Sequence, residues 1–128
     1  MNDTDAYRVL ALVELAGRFP EPLTVAQIAR RRGVPTRFLA RLLGELARDG
    51  LVTTARGPRG GVRLAARPET IRLTSLVRPE PFPEARGAAV SWLANRLARA
   101  RDGALEKLTL VDLLQVERDV NATANFEI

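Results

Sequence analysis

Apolar residues recur at helical spacing from the start of the chain. Val9, Leu10, Leu12, Val13 and Ala16, with Tyr7 upstream, mark one side of a helix that Asp3 or Thr4 can cap and that runs to about Arg18. Phe19-Pro20-Glu21-Pro22 breaks it and turns the chain. A second helix spans Thr24 to Arg32; Thr24 with Gln27 three residues on forms a capping-box pattern, and Gly33 closes it. After Pro35 a third helix carries Thr36 to Asp49, closed by Gly50. Phe38, Leu39, Leu42, Leu43 and Leu46 keep the i, i+1, i+4, i+5, i+8 spacing of a buried face. Leu51–Thr54 and Val62–Leu64 then read as the strands of a hairpin whose tip is Arg56-Gly57-Pro58-Arg59-Gly60-Gly61. From Gly87 to Lys107 the helical period returns, with Val90, Leu93, Ala94, Leu97, Ala98, Ala104, Leu105 and Leu108 as a long stripe and Trp92 beside it. Thr109 caps a last short helix through about Val116.

Two helices joined by a tight turn and followed by a glycine-rich hairpin form a winged helix-turn-helix. The expected fold is mainly α with a small β-hairpin wing, plus a long C-terminal dimerisation helix. The division is 1–78 for the DNA-binding domain and 79–86 for a proline-rich linker. Residues 87–116 are the dimerisation helix and short terminal helix, and 117–128 a flexible tail. A helix reaching past the winged unit needs something to pack against, and its own copy in a two-fold dimer is the economical partner. Val90, Trp92, Leu93, Leu97 and Leu105 are the candidate dimer contacts. Folding back on its own domain accounts for only part of the stripe.

Charge sharpens this picture. Between Thr24 and Arg67 stand ten arginines against Glu45 and Asp49, a net of +8, while the rest of the chain holds ten basic and thirteen acidic residues, a net of −3. The excess positive charge therefore sits where a winged helix meets phosphates. Lys107 is the only lysine; compositional bias explains arginine over lysine but not this segregation. Residues near the N-terminal end of a recognition helix reach base edges, which nominates Thr36, Arg37, Ala40 and Arg41, with Arg48 farther along. Arginine can bond two acceptors of guanine at once, although phosphate or water contacts are the alternative for each. Arg56, Arg59 and Gly60 at the hairpin tip, and Arg63 beyond it, suit a narrow minor groove, where negative potential attracts arginine. A phosphate-cradling nucleotide loop is the weaker reading, since the tip lacks the Gly-Lys-Ser/Thr ending. Gly44, on the same helical face, marks close packing or backbone approach.

Composition removes other classes. Cysteine and histidine are both absent, which excludes disulfides, zinc ribbons, thiolate-held clusters and histidine acid–base catalysis. No apolar run approaches the roughly 18 residues of a membrane span, and no signal peptide opens the chain; a cytoplasmic protein is expected. The carboxylates Asp3, Asp5, Glu14, Asp102, Glu106, Asp112, Glu117 and Asp119 form no acid–base pair in a glycine-framed pocket, so an enzyme is not expected. A winged-helix protein-interaction module without specific DNA binding is the rival reading.

Tyr7-Arg8-Val9-Leu10-Ala11-Leu12, Val25-Ala26-Gln27-Ile28-Ala29, Gly33-Val34-Pro35, Phe38-Leu39, Leu42-Leu43, Leu46 and Gly50-Leu51-Val52 together resemble one bacterial regulator family. Arg56-Gly57-Pro58-Arg59-Gly60-Gly61-Val62-Arg63-Leu64-Ala65, Ile71-Arg72-Leu73-Thr74-Ser75-Leu76-Val77, Trp92 and Leu108-Thr109-Leu110-Val111-Asp112-Leu113 continue the match. The chain is similar to the BadM/IscR/NsrR/CymR-type winged-helix repressors from about Tyr7 to Leu114. The resemblance implies a homodimer on a palindromic operator, with the recognition helix in the major groove and the wing in the minor groove. Many members of that family hold an iron–sulfur cluster through three cysteines between the wing and the long helix. Here Val77-Arg78-Pro79-Glu80-Pro81-Phe82-Pro83-Glu84-Ala85-Arg86 fills that region, and only Glu80 and Glu84 could ligate. Carboxylates alone suit neither iron–sulfur clusters nor zinc, so a member lacking the cluster cysteines, with no cofactor, is expected. In the cysteine-metabolism branch, tails ending in isoleucine are associated with binding cysteine synthase. The resemblance thus makes Ile128 a candidate partner contact, with a frayed terminus as the alternative.

Overall fold

Asn2, rather than Asp3 or Thr4, starts the first helix. In a computed structural model describing residues 1–79 and 87–126, α1 runs Asp3–Arg18. The Asn2 side chain accepts from the Asp5 N–H at 2.8 Å, and the Asp5 carboxylate accepts from the Asn2 N–H at 3.3 Å. Such a reciprocal box satisfies two otherwise orphaned donors. The buried arc of α1 is Asp5, Arg8, Ala11, Leu12, Val13, Leu15 and Ala16. Val9 and Leu10 are only half-buried and Tyr7 sits at the boundary. The stripe is thus rotated from the expected one, and two charged residues lie inside it.

The second helix, α2 (Val25–Arg32), is built as the sequence indicates. The Thr24 hydroxyl accepts from the Gln27 N–H at 3.1 Å, the Gln27 side chain accepts from the Thr24 N–H at 2.9 Å, and Gly33 ends the helix in the left-handed region. Thr24→Ala should therefore destabilise the fold by about 1 kcal/mol, read as a lower denaturation midpoint with an unchanged slope. The third helix, α3 (Thr36–Arg48), buries Leu39, Leu42, Leu43 and Leu46. Phe38 is only half-buried, its ring 5.3 Å from that of Tyr7 at 76°. Gly44 has open space where a side chain would stand, so packing within this chain does not require it.

The wing is a two-stranded antiparallel sheet, β1 (Val52–Ala55) and β2 (Gly61–Leu64), with Val52 opposite Leu64 and Ala55 opposite Gly61. Leu23 extends it, exchanging two backbone hydrogen bonds with Val62 at 2.7 and 2.8 Å. That close approach dictates Gly61: its φ is 144°, and an added Cβ would lie 2.7 Å from the Leu23 carbonyl oxygen. Two 3₁₀ turns, Pro68–Thr70 and Leu73–Ser75, carry the chain on, burying Pro68, Ile71, Leu73 and Leu76.

Two helices complete the described chain, α4 (Ala88–Leu105) and α5 (Leu110–Phe126). α5 corrects the expected short helix ending near Val116 and the flexible tail from 117. It continues because no glycine or proline follows Gly103, because Leu110, Leu113 and Leu114 pack on the core, and because Glu117 is tied to α2. At its start the Asp112 carboxylate accepts from the Thr109 N–H at 2.8 Å. Of the expected linker 79–86 only Pro79 is described. Glu80, Glu84 and the terminal Ile128 lie outside the described residues. Among the described residues no helix is long and apolar enough to cross a membrane.

An arginine fork fastens α5 to the helix-turn-helix. Both Nη atoms of Arg32 donate to the Glu117 carboxylate at 2.7 Å, and Arg32 Nε lies 2.9 Å from Glu14 on α1 without hydrogen-bond alignment. The two hydrogen bonds from Arg32 hold the Glu117 carboxyl below the usual carboxylate range, and Glu117 in turn raises Arg32. A lowered carboxylate value stabilises the fold above the ordinary glutamate value, about 4.3. That stability disappears as pH falls through the depressed value. Glu117→Gln should thus melt lower than wild type at neutral pH, with the gap closing in acid. The gap should be modest, because Glu117 is 36% exposed and solvent screens the pair. A gap independent of pH would assign the loss to something other than this bridge.

Candidate nucleic-acid interface

The turn between α2 and α3 fixes which side of α3 faces outward. Leu39, Leu42, Leu43 and Leu46 point into the core, leaving Thr36, Arg37, Ala40, Arg41 and Arg48 exposed on the opposite side. Arg41 is steadied there, its guanidinium carbon 5.4 Å from the centre of the Phe38 ring. Tyr7 braces that ring from behind at 5.3 Å. A cation stacked on a fixed ring loses less freedom on binding than one waving in solvent.

The hairpin adds a second basic ridge. Val62 and Leu64 of β2 are buried while Arg63 between them is exposed, as strand alternation requires. Arg56 and Arg59 flank the tip and are exposed. Gly60 differs from its neighbours. It is half-buried, its N–H donates to the Gly57 carbonyl at 2.9 Å, and a Cβ there would sit 2.3 Å from the Ala55 carbonyl oxygen. It closes the tip between the exposed Arg56 and Arg59 and the start of β2. Arg59→Ala should weaken binding to all duplexes several-fold and reduce the slope of log affinity on log salt by about one if the side chain meets a phosphate.

Sequence reasoning counted ten arginines in this basic segment and nominated six of them as contacts; the structure divides the ten by their partners. Among the described residues, Arg37, Arg41, Arg48, Arg56, Arg59 and Arg63 form no ion pair. Arg31 pairs with Glu14, Arg32 with Glu14 and Glu117, and Arg67 with Glu69. Arg32 therefore belongs to the scaffold, a role its local sequence could not show because Glu117 is 85 positions away. Arg18 and Arg30, outside the nominated set, join Gln27 and Arg31 around a shallow hollow beside Leu23. The expected dimer residues lie on α4, which buries none of its own side chains: Trp92, Leu93 and Leu97 are all more than half exposed. Leu105 alone of the five packs against the core.

Residues 1–79 match the family described as Rrf2, iron-dependent transcriptional regulator. The chain belongs to the Rrf2 family. Rrf2 proteins are DNA-binding transcriptional regulators, and the fold agrees. The chain is 36% identical over 121 residues to a protein of Synechocystis described as an HTH-type transcriptional regulator, covering 84% of this chain and 82% of that one. Among solved structures it is similar to T. potens IscR, with a TM-score of 0.81 and 26% identity over 94% of this chain and 89% of that one. It is also similar to CymR, the global cysteine regulator of B. subtilis, with a TM-score of 0.75 and 26% identity over 91% and 96% of the two chains. The chain spans about half the length of other curated relatives it matches, such as one from Aquifex aeolicus (53%). The Rrf2 description names iron, but the donor chemistry here does not fit an iron–sulfur cluster. The 128 residues contain no cysteine and no histidine, and no group of three potential metal ligands exists among the described residues.

Proposed function

We propose that this Rrf2 protein acts as a homodimer that reads a palindromic operator and represses by occupying it, without an iron–sulfur cluster. The observation that carries this reading is the set of six arginines exposed on α3 and the wing without an ionic partner among the described residues, whereas Arg31, Arg32 and Arg67 of the same basic segment are paired. Double-stranded DNA supplies the missing counter-charges, with α3 in the major groove and the Arg56–Arg59 tip in the minor groove. Dimerisation is supported by the bare apolar face of α4, since a stripe of this kind in water favours a second copy. Two recognition helices related by a two-fold axis then require a two-fold operator. Capture of cysteine synthase through Ile128 concerns a residue outside the described chain. The test is stoichiometry: light scattering of the protein alone and on a selected operator duplex. Two chains per particle and two chains per palindrome are expected; one chain per duplex would overturn the dimeric reading.

A further inference from the structure

Among the described residues Arg8 is the one arginine buried almost completely, at 2% exposure, and it lies behind the recognition helix, against Glu45 and Asp49. Its Nη2 donates to Asp49 Oδ2 at 3.1 Å and its Nη1 stands 4.0 Å from Glu45 Oε2. Arg78 also stands near the same two oxygens, 4.0 Å from each. Glu45 and Asp49 are the two acids of the whole Thr24–Arg67 segment, and they are badly placed on their own account. They stand one turn apart with like charge, at the C-terminal end of α3 where the helix dipole is negative, on an element that must approach phosphates. Burying a guanidinium to meet them is itself unfavourable. Nε and Nη1 find no hydrogen-bond partner among the described residues, and an apolar side chain would fill the same space without that desolvation. Packing alone therefore does not account for an arginine here.

We propose that Arg8 is a positioning residue for DNA recognition: from beneath α3 it holds and neutralises Glu45 and Asp49, and so sets where the exposed arginines of α3 meet the operator. The inference rests on the function proposed above. The network extends toward the dimer helix, because the Val77 carbonyl, next to Arg78, accepts from Arg101 of α4. The recognition helix is thus anchored at one end to α1 and to the chain leading into α4.

The experiment titrates wild type and variants against the selected operator and a random duplex of equal length, with circular dichroism to verify folding. Arg8→Met should bind the operator about tenfold more weakly, because two carboxylates now oppose the phosphates. Adding Glu45→Gln and Asp49→Asn to Arg8→Met should restore affinity to within about threefold of wild type, since no carboxylate is left on α3 to oppose the phosphates. A triple variant as weak as Arg8→Met would reduce Arg8 to packing, and an Arg8→Met protein equal to wild type would overturn the proposal. If Arg8→Met does not fold, Arg8→Lys decides. An ammonium cannot hold two carboxylates in a fixed fork, so the operator-to-random ratio should drop about threefold, and an unchanged ratio would overturn the proposal. A wild-type protein without any operator preference would overturn both readings; normal wild-type preference with unaffected Arg8 variants would overturn only this one.

Discussion

Replacing Leu93 and Leu97 together with aspartate will give a folded monomer that binds the operator at least about a hundredfold more weakly than wild type. The two leucines are 52% and 62% exposed within one chain and stand one turn apart on α4, continuing the line of Val90. Because water already reaches them, carboxylates there cost the single chain little, and the helical content and melting of the isolated fold should change only slightly. Across a two-fold interface each stripe meets its own copy, so the same substitutions place like charges in apolar contact, at a penalty of several kcal/mol. Operator binding falls because the second recognition helix is no longer delivered at high effective concentration. Light scattering and binding titrations check this directly. A variant that remains dimeric, or a monomer that keeps full operator affinity, would remove α4 from the account.

Arg37→Ala and Arg41→Ala will each weaken operator binding by about 1–3 kcal/mol, and the loss will be larger on the operator than on random DNA. Both side chains lie on the exposed side of α3, at positions one turn apart near its N-terminal end, where a recognition helix meets base edges. Arg41 should show the stronger sequence effect, since Phe38 and Tyr7 hold its guanidinium in place and so favour one hydrogen-bond geometry. Competition assays with operators altered at single base pairs separate the outcomes. Relaxed preference at one position identifies a base contact. Equal losses on operator and random duplex would make both arginines phosphate contacts only.

What the sequence revealed, and what it did not, follows the range of each interaction. The Thr24–Gln27 capping box, the left-handed Gly33 and the leucine face of α3 depend on residues within a few positions of each other, and all stand where the pattern put them. Asn2 escaped notice because Asp3 and Thr4 offer equally good caps, and only the Asp5 return bond selects among them. The length of α5 was legible in one signal that the apolar pattern obscured, the absence of any glycine or proline after Gly103. Arg8 and Arg32 were out of reach. Their partners lie 41 and 85 positions away, and a local reading counts such arginines as surface charge. Of the nominated interface, Thr36, Arg37, Ala40, Arg41, Arg48, Arg56, Arg59 and Arg63 lie exposed on α3 and the wing, whereas Gly60 belongs to the frame of the tip. With Arg32 held in the scaffold, the exposed, unpaired arginines of α3 and the wing, together with Arg30, remain to meet phosphate.

The central claim, that these arginines serve a sequence-specific regulator, is tested most directly by recovering genomic fragments on the purified protein across a salt series and sequencing them. The account predicts a few fragments that share one palindrome and persist as random DNA is lost with rising salt, because base contacts survive when counterion release no longer favours binding. Recovery without sequence preference that vanishes at moderate salt would contradict it, and would leave a basic surface on a winged-helix interaction module.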